Sequence, residues 1–189
     1  PEHPLNSHPE WFMTSIDGID MATAPIGAVR NETSEGRYLS PGLAPVKDYL
    51  SRVITEVLVT YNIDGVHLDY VRYPGREYDF HPAVREVFHS RYGVDPVDVV
   101  NGEPGVDPAL RYLGKWVDFR VSQIDRQVEA LRRRIDLVDP AVRLSAAVKA
   151  HADEAYFQFG QNWTGWLEQG FLDFVVPMSY LPNVPDLAQ

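Results

Sequence analysis

The chain has 189 residues, 27 acidic against 17 basic, and a formal net charge of −10. That balance excludes a nucleic-acid binder and a protein held on anionic lipid, because phosphate would repel it. A content of 44% hydrophobic and 12% aromatic residues is too apolar for disorder; there is no bilayer-length apolar run, and the absence of Cys excludes disulfides, thiolate metal sites and cysteine nucleophiles.

The length suits one domain, taken as residues 1–189. The opening Pro1-Glu2-His3-Pro4 has no basic stretch before an apolar run. The close, Leu181-Pro182-Asn183-Val184-Pro185-Asp186, has no helix or strand pattern, so both ends read as cut from something longer.

Residues 1–45 are rich in Pro, Gly, Ser and Asn and read as loops with short extended pieces such as 37–40. From Val46 the pattern changes. Val46, Leu50, Val53 and Val57 share one helical face, and Pro45 suits the first turn. Residues 63–71 alternate apolar and polar and stop at Tyr73-Pro74-Gly75, which predicts a strand and a turn. Residues 75–106 read as loop around a short helix from Pro82 to Tyr92.

The strongest helix runs over 108–136, where Leu110, Leu113, Val117, Val121, Ile124, Val128, Leu131 and Ile135 keep 3/4 spacing. Asp107-Pro108 supplies its cap, and Arg132-Arg133-Arg134 reads as a solvated C-terminal end. A second strand over 142–148 is rich in small residues. A short helix over 163–169 ends at Gly170, and 172–180 is a third strand, apolar enough to be buried on both faces.

Helix–strand alternation predicts parallel strands in an α/β fold. A nucleotide-binding sheet would carry a Gly-rich strand-to-helix turn, which is absent. The strand ends carry His, Asp, Tyr and Met instead, which favours a (β/α) barrel with its site at the C-terminal ends of the strands. His67 and Asp69, two apart in a strand, face the same side, and they converge at that productive end. Asp64 and Asp173 precede their strands and read as structural. Arg72 and Tyr73 enter the loop on the active face, where Tyr73 suits stacking on a sugar and Arg72 suits pairing with Asp69 or a substrate oxygen. Arg120 interrupts an apolar helix, as a surface ion pair or a functional group. Beyond the second strand, Lys149, His151, Asp153 and Glu154 form a polar loop holding the nearest acids to Asp69. Met178 and Tyr180 end the third strand.

Residues 64–74, Asp-Gly-Val-His-Leu-Asp-Tyr-Val-Arg-Tyr-Pro, resemble the signature strand of the glycosyl hydrolase-like family 10 proteins. Three further pieces agree in order: His8-Pro9-Glu10-Trp11, then Tyr38-Leu39-Ser40-Pro41-Gly42, then 161–167 running on to Pro177-Met178-Ser179-Tyr180. The family is similar to the α-amylase-like (β/α)8 glycosidases. The resemblance implies a TIM-barrel glycosidase-like fold, present here as an incomplete barrel of about strands three to six, with Asp69 as the catalytic carboxylate ending strand four. The chitinase pattern Asp-Gly-x-Asp-x-Asp-x-Glu fits less well, since His67 and Val71 replace its second Asp and its Glu.

The expected function is glycoside hydrolysis of a polysaccharide or cell-envelope glycan by paired carboxyl groups, in a secreted or cell-surface protein, with no cofactor or metal. Asp69, His67 and Glu154 are the catalytic candidates. Arg72, Tyr73, Lys149, His151, Met178 and Tyr180 are the substrate-binding candidates. A glycosidase needs a second carboxyl group, and Val148-Lys149-Ala150-His151 stands where an amylase-like layout wants a Glu. That departure keeps a non-catalytic carbohydrate-binding barrel as the alternative. A metal-dependent hydrolase using His67, Asp69 and His151 is the third reading.

Overall fold

A computed structural model describes residues 3–29, 36–102 and 109–179 of the chain. The first part is short helical pieces, α1 (Pro4–Ser7), a 3-10 turn (Pro9–Trp11) and α2 (Ile26–Val29), rather than loops alone. The extended stretch expected over 37–40 is present. Leu39 forms an antiparallel bridge with Phe12, Met13 N donates to Tyr38 O (2.9 Å), and Ser40 N donates to Trp11 O (2.8 Å).

Next come α3 (Ala44–Thr60), with its proline in the first turn as anticipated, and β1 (Gly65–Leu68). The strand is shorter than the alternation suggested, for a local reason. Tyr70 has φ of +53°, a left-handed conformation uncommon for a non-glycine residue, and Arg72 N donates to Tyr70 O (2.8 Å) in a tight turn. The chain turns away from the sheet there.

α4 (Pro82–Tyr92) occupies the residues expected of it, with the His81 side chain capping Ala83 N and left-handed Gly93 closing it. α5 (Pro96–Asn101) stands where the sequence pattern predicts loop; Asp95 caps it by accepting from Val97 N (2.9 Å). α6 (Ala109–Val138) has 30 residues, so it is roughly 45 Å long. The cap expected at Asp107-Pro108 lies outside the described residues. Its first half packs Trp116 and Phe119 against Phe80, Val84, Phe88 and Val99, an aromatic core of its own. Its second half packs Ile124, Val128, Leu131 and Ile135 against the sheet.

β2 (Arg143–Lys149), α7 (Ala152–Phe159), α8 (Trp163–Glu168) and β3 (Phe174–Met178) complete the described chain. The expected polar loop at 151–154 is instead the start of α7, where Asp153 and Glu154 suit the first turn and Gly160 ends the helix. The strands form one three-stranded parallel sheet in the order β1-β2-β3, with His67 opposite Ser145 and Lys149 opposite Met178. Leu144, Ala146 and Val148 point to the helices and are buried. Ser145, Ala147 and Lys149 alternate with them and share the other face with His67.

β3 was expected to be covered on both faces. Instead Phe174 and Val176 are 45% and 46% exposed, because β3 is an outer strand of this sheet and nothing described covers the His67 face. The basic triplet also differs from expectation. Arg132 is mostly covered and binds Asp136 (2.5 Å), Asp173 (3.3 Å) and Val142 O (3.3 Å), tying α6 to the N-terminal ends of β2 and β3. Asp173 also accepts from Leu144 N (2.7 Å), so its structural reading fits its contacts.

Candidate functional site

His67 lies near the end of β1 on the open face of the sheet. Its Nδ1 hydrogen-bonds Ser145 Oγ (2.8 Å), whose hydroxyl also lies 3.5 Å from Val66 O. The imidazole is thereby fixed across β1 and β2, and Nε2 is left for a second partner. Asp69 follows the last residue of β1. Its carboxylate is exposed, and Oδ1 accepts from Tyr70 N (2.8 Å), a contact made possible by the left-handed Tyr70. Asp69 therefore stands at the C-terminal edge of the sheet.

The loop that leaves this edge is anchored from behind. Arg72 is 6% exposed, with its guanidinium over the rings of Tyr70 (5.3 Å) and Phe159 (5.4 Å). Tyr73 is fully buried: its hydroxyl donates to Arg120 O (3.1 Å), and its backbone N donates to Phe159 O (2.9 Å). Burial pushes the phenol far above its ordinary range. A ring so enclosed cannot stack on a sugar, so the role expected for Tyr73 is corrected to one of support. Arg120 is no surface ion pair either. It is buried over the Tyr73 ring (4.4 Å) and donates to Gly75 O (2.7 Å), and burial lowers its pKa. A loop of Pro and Gly is held in one place by this aromatic–guanidinium stack.

At the end of β2, Lys149 Nζ sits over the Phe159 ring (4.7 Å). Gln161, a buried side chain, accepts from Lys149 N (2.8 Å) and donates to Ala147 O (3.1 Å), so its amide continues the strand ladder where β2 ends. His151 is exposed at the N-cap of α7 and makes no side-chain cap bond. Glu154 is exposed in the first turn of α7, and no hydrogen bond or ion pair joins it to Asp69 among the described residues. Met178 ends β3 half-buried beside Lys149. Tyr180 lies outside the described residues. No group of three or more His, Asp or Glu side chains is arranged to hold a metal among the described residues.

Sequence reasoning missed two acids, Asp79, which is buried, and Asp125, which is half-buried. Asp125 in α6 accepts from Trp166 Nε1 (2.6 Å) and Asn162 Nδ2 (3.5 Å), and burial raises its pKa. Asp79 accepts from Thr14 N (3.3 Å) and His81 N (3.0 Å) and is 1% exposed. Asp125 lay in the polar stripe of a helix, where the pattern reads as solvated. Only its distant partners, Asn162 and Trp166 in the motif at 161–167, mark it as interior.

Residues 2–189 match the model of a family described as glycosyl hydrolase-like 10. Among curated proteins, the chain is 24% identical to an S-layer-related protein of Niallia circulans over 97% of its own length and 13% of that protein. It is 22% identical to glycosyl hydrolase YngK of Bacillus subtilis (strain 168), covering 95% of the chain and 31% of the relative. It is 27% identical to glycosyl hydrolase DigH of Escherichia coli (strain K12), covering 79% and 33%. The chain thus spans a third or less of the length of these relatives.

Proposed function

The chain belongs to the glycosyl hydrolase-like 10 family, and from that premise we propose that it is part of a glycoside hydrolase acting on a polysaccharide or cell-envelope glycan. In this reading its three parallel strands are a segment of a (β/α)8 barrel, about strands three to six, in one partial catalytic domain. The observation that carries the reading is the position of Asp69. Two residues after a histidine pinned to Ser145, an exposed carboxylate stands just past the C-terminal end of a parallel strand. That is the face where barrel sites assemble.

Asp69 serves as nucleophile, or as the base that activates water, and His67 orients a sugar hydroxyl or tunes the carboxylate. Lys149, His151 and Met178 line the neighbouring strand ends and contact the glycan. The general acid is assigned to Glu154. The location proposed is the cell surface or exterior, supported by the S-layer-related relative.

The test is Asp69→Asn in the full-length protein. Turnover of a glycan substrate is expected to fall on the order of 10²–10⁴-fold, with sugar binding and melting temperature nearly unchanged. Activity within about tenfold of wild type, roughly 1.4 kcal/mol, would move the chemistry to another residue. One observation favours a second reading. No carboxylate among the described residues bonds Asp69, and Glu154 is exposed in the first turn of α7 with no contact to it. A non-catalytic carbohydrate-binding barrel fits that arrangement; saturable glycan binding with no hydrolysis in the wild type would select it.

A further inference from the structure

A cavity of about 310 Å³ lies between α3, α6 and the end of β1. It is on the helix side of the sheet, opposite the His67 face, and Asp69 and Tyr70 reach its rim. Its walls are mainly apolar, with Leu50, Ile54, Leu68 and Leu131 among them. The volume falls at the low end for small-molecule sites.

One wall residue does not fit an apolar void. Gln127 of α6 is 4% exposed and lines the cavity, yet neither its Nε2 nor its Oε1 has a hydrogen-bond partner among the described residues. Buried amides are nearly always paired. The helix pattern places Gln127 on the same buried stripe as Ile124, Val128 and Leu131, where an aliphatic side chain would pack without that cost. Water is a poor sole partner here, because a bound water needs two to four polar groups and the lining is mainly apolar, its charged members Arg37, Asp69 and Arg72 aside.

We propose that this cavity is a binding site for a small neutral amphiphile, whose apolar body fills the space between α3 and α6 and whose polar head carries both a donor and an acceptor to pair with the Gln127 carboxamide. The head is uncharged because Gln127 is neutral and offers both hydrogen-bond roles at once. A carboxylate has no donor for Oε1, and the cations of the lining are already engaged, Arg37 by the carbonyls of Ala22 and Ala24 and Arg72 by the rings of Tyr70 and Phe159. A primary carboxamide on a small hydrocarbon ring satisfies the chemistry, with two parallel N–H···O bonds to the side chain. The cavity shares Asp69 at its rim with the proposed glycan site, but the inference does not depend on hydrolysis there.

The probes are cyclohexanecarboxamide and, as the charged counterpart, cyclohexanecarboxylate, titrated into the full-length protein by ligand-observed NMR. The carboxamide is expected to bind with millimolar or better affinity, and the carboxylate at least tenfold more weakly. Gln127→Met keeps the length and removes the amide, and it should weaken the carboxamide at least tenfold. Leu50→Trp fills the cavity and should abolish binding. If either variant does not fold, as judged by circular dichroism, the other and the amide–carboxylate comparison still decide. No saturable binding to the wild type would leave the cavity to water or to another segment of the polypeptide and would overturn the proposal. So would equal affinities in wild type and Gln127→Met. Binding is read without hydrolysis, so an inactive enzyme that binds the probe refutes only the glycosidase reading.

Discussion

Asp79 shows how a single residue can be held at a thermodynamic cost. Its carboxyl is enclosed between the N-terminal segment and α4, and burial raises its pKa, opposed by the Ser40 hydroxyl and the His81 and Thr14 amides. An acid whose folded pKa lies above its unfolded value stabilises the fold at low pH, where it is protonated in both states. That contribution is lost as pH rises from the unfolded pKa, near 3.9, through the folded one. Asp79→Asn keeps the oxygen that accepts from Thr14 and His81 and removes the charge. The variant is expected to melt higher than wild type at pH 7, with the gain shrinking toward pH 4. Thermal melts across that range check it, and a variant less stable at every pH would show that the ionised form is the one the fold prefers.

The elements around the strand ends depend on two close approaches. Gly160 ends α7 with φ of +64°, and a Cβ there would stand 2.7 Å from the Tyr73 ring. Gly170 has φ of +70° with nothing within 4 Å of the same construction. Gly170→Ala should therefore cost only the left-handed backbone, about 1–2 kcal/mol. Gly160→Ala should cost clearly more, because it also displaces Tyr73 and the loop behind Asp69. Urea midpoints of the two variants measure the difference, and equal losses would mean that Tyr73 yields freely. This contrast also marks the limit of sequence reasoning. The alternation at 65–68 was enough for β1 and for the face that His67 takes, and the 3/4 spacing was enough for α3 and α6, whereas Asp69 follows the strand and reaches the rim of the helix-side cavity. The burial of Tyr73 was not legible, since it is decided by Gly160 and Arg120, each remote in the chain. α5 carried a readable signal in Asp95-Pro96, the same cap pattern that was noted at Asp107-Pro108. α7 was hidden because its first turn is acidic and followed by aromatic residues on several faces.

At the scale of the molecule, the described residues cover the sheet on one side only. Leu144, Ala146 and Val148 meet the helices, whereas the alternate face presents His67, Phe174 and Val176 without cover among the described residues. Parallel sheets are normally buried on both faces, and an aromatic beside an aliphatic residue on an open one asks for a partner layer. The proposed barrel supplies it, because His67, Phe174 and Val176 would then point into a closed interior filled by side chains from the remaining strands. Val176→Asp in the full-length protein separates the two states of this face. Inside a barrel it buries an unpaired charge and should destabilise by about 3 kcal/mol or more; on an open face it should cost almost nothing. Leu137→Asp is the matched control, since Leu137 is 78% exposed near the end of α6. Denaturant unfolding of both variants should show a large loss for Val176→Asp alone. If the two variants are equally stable, the face stays open in the complete protein, and the barrel must give way to a two-layer sheet with its glycan-binding groups displayed on an uncovered surface.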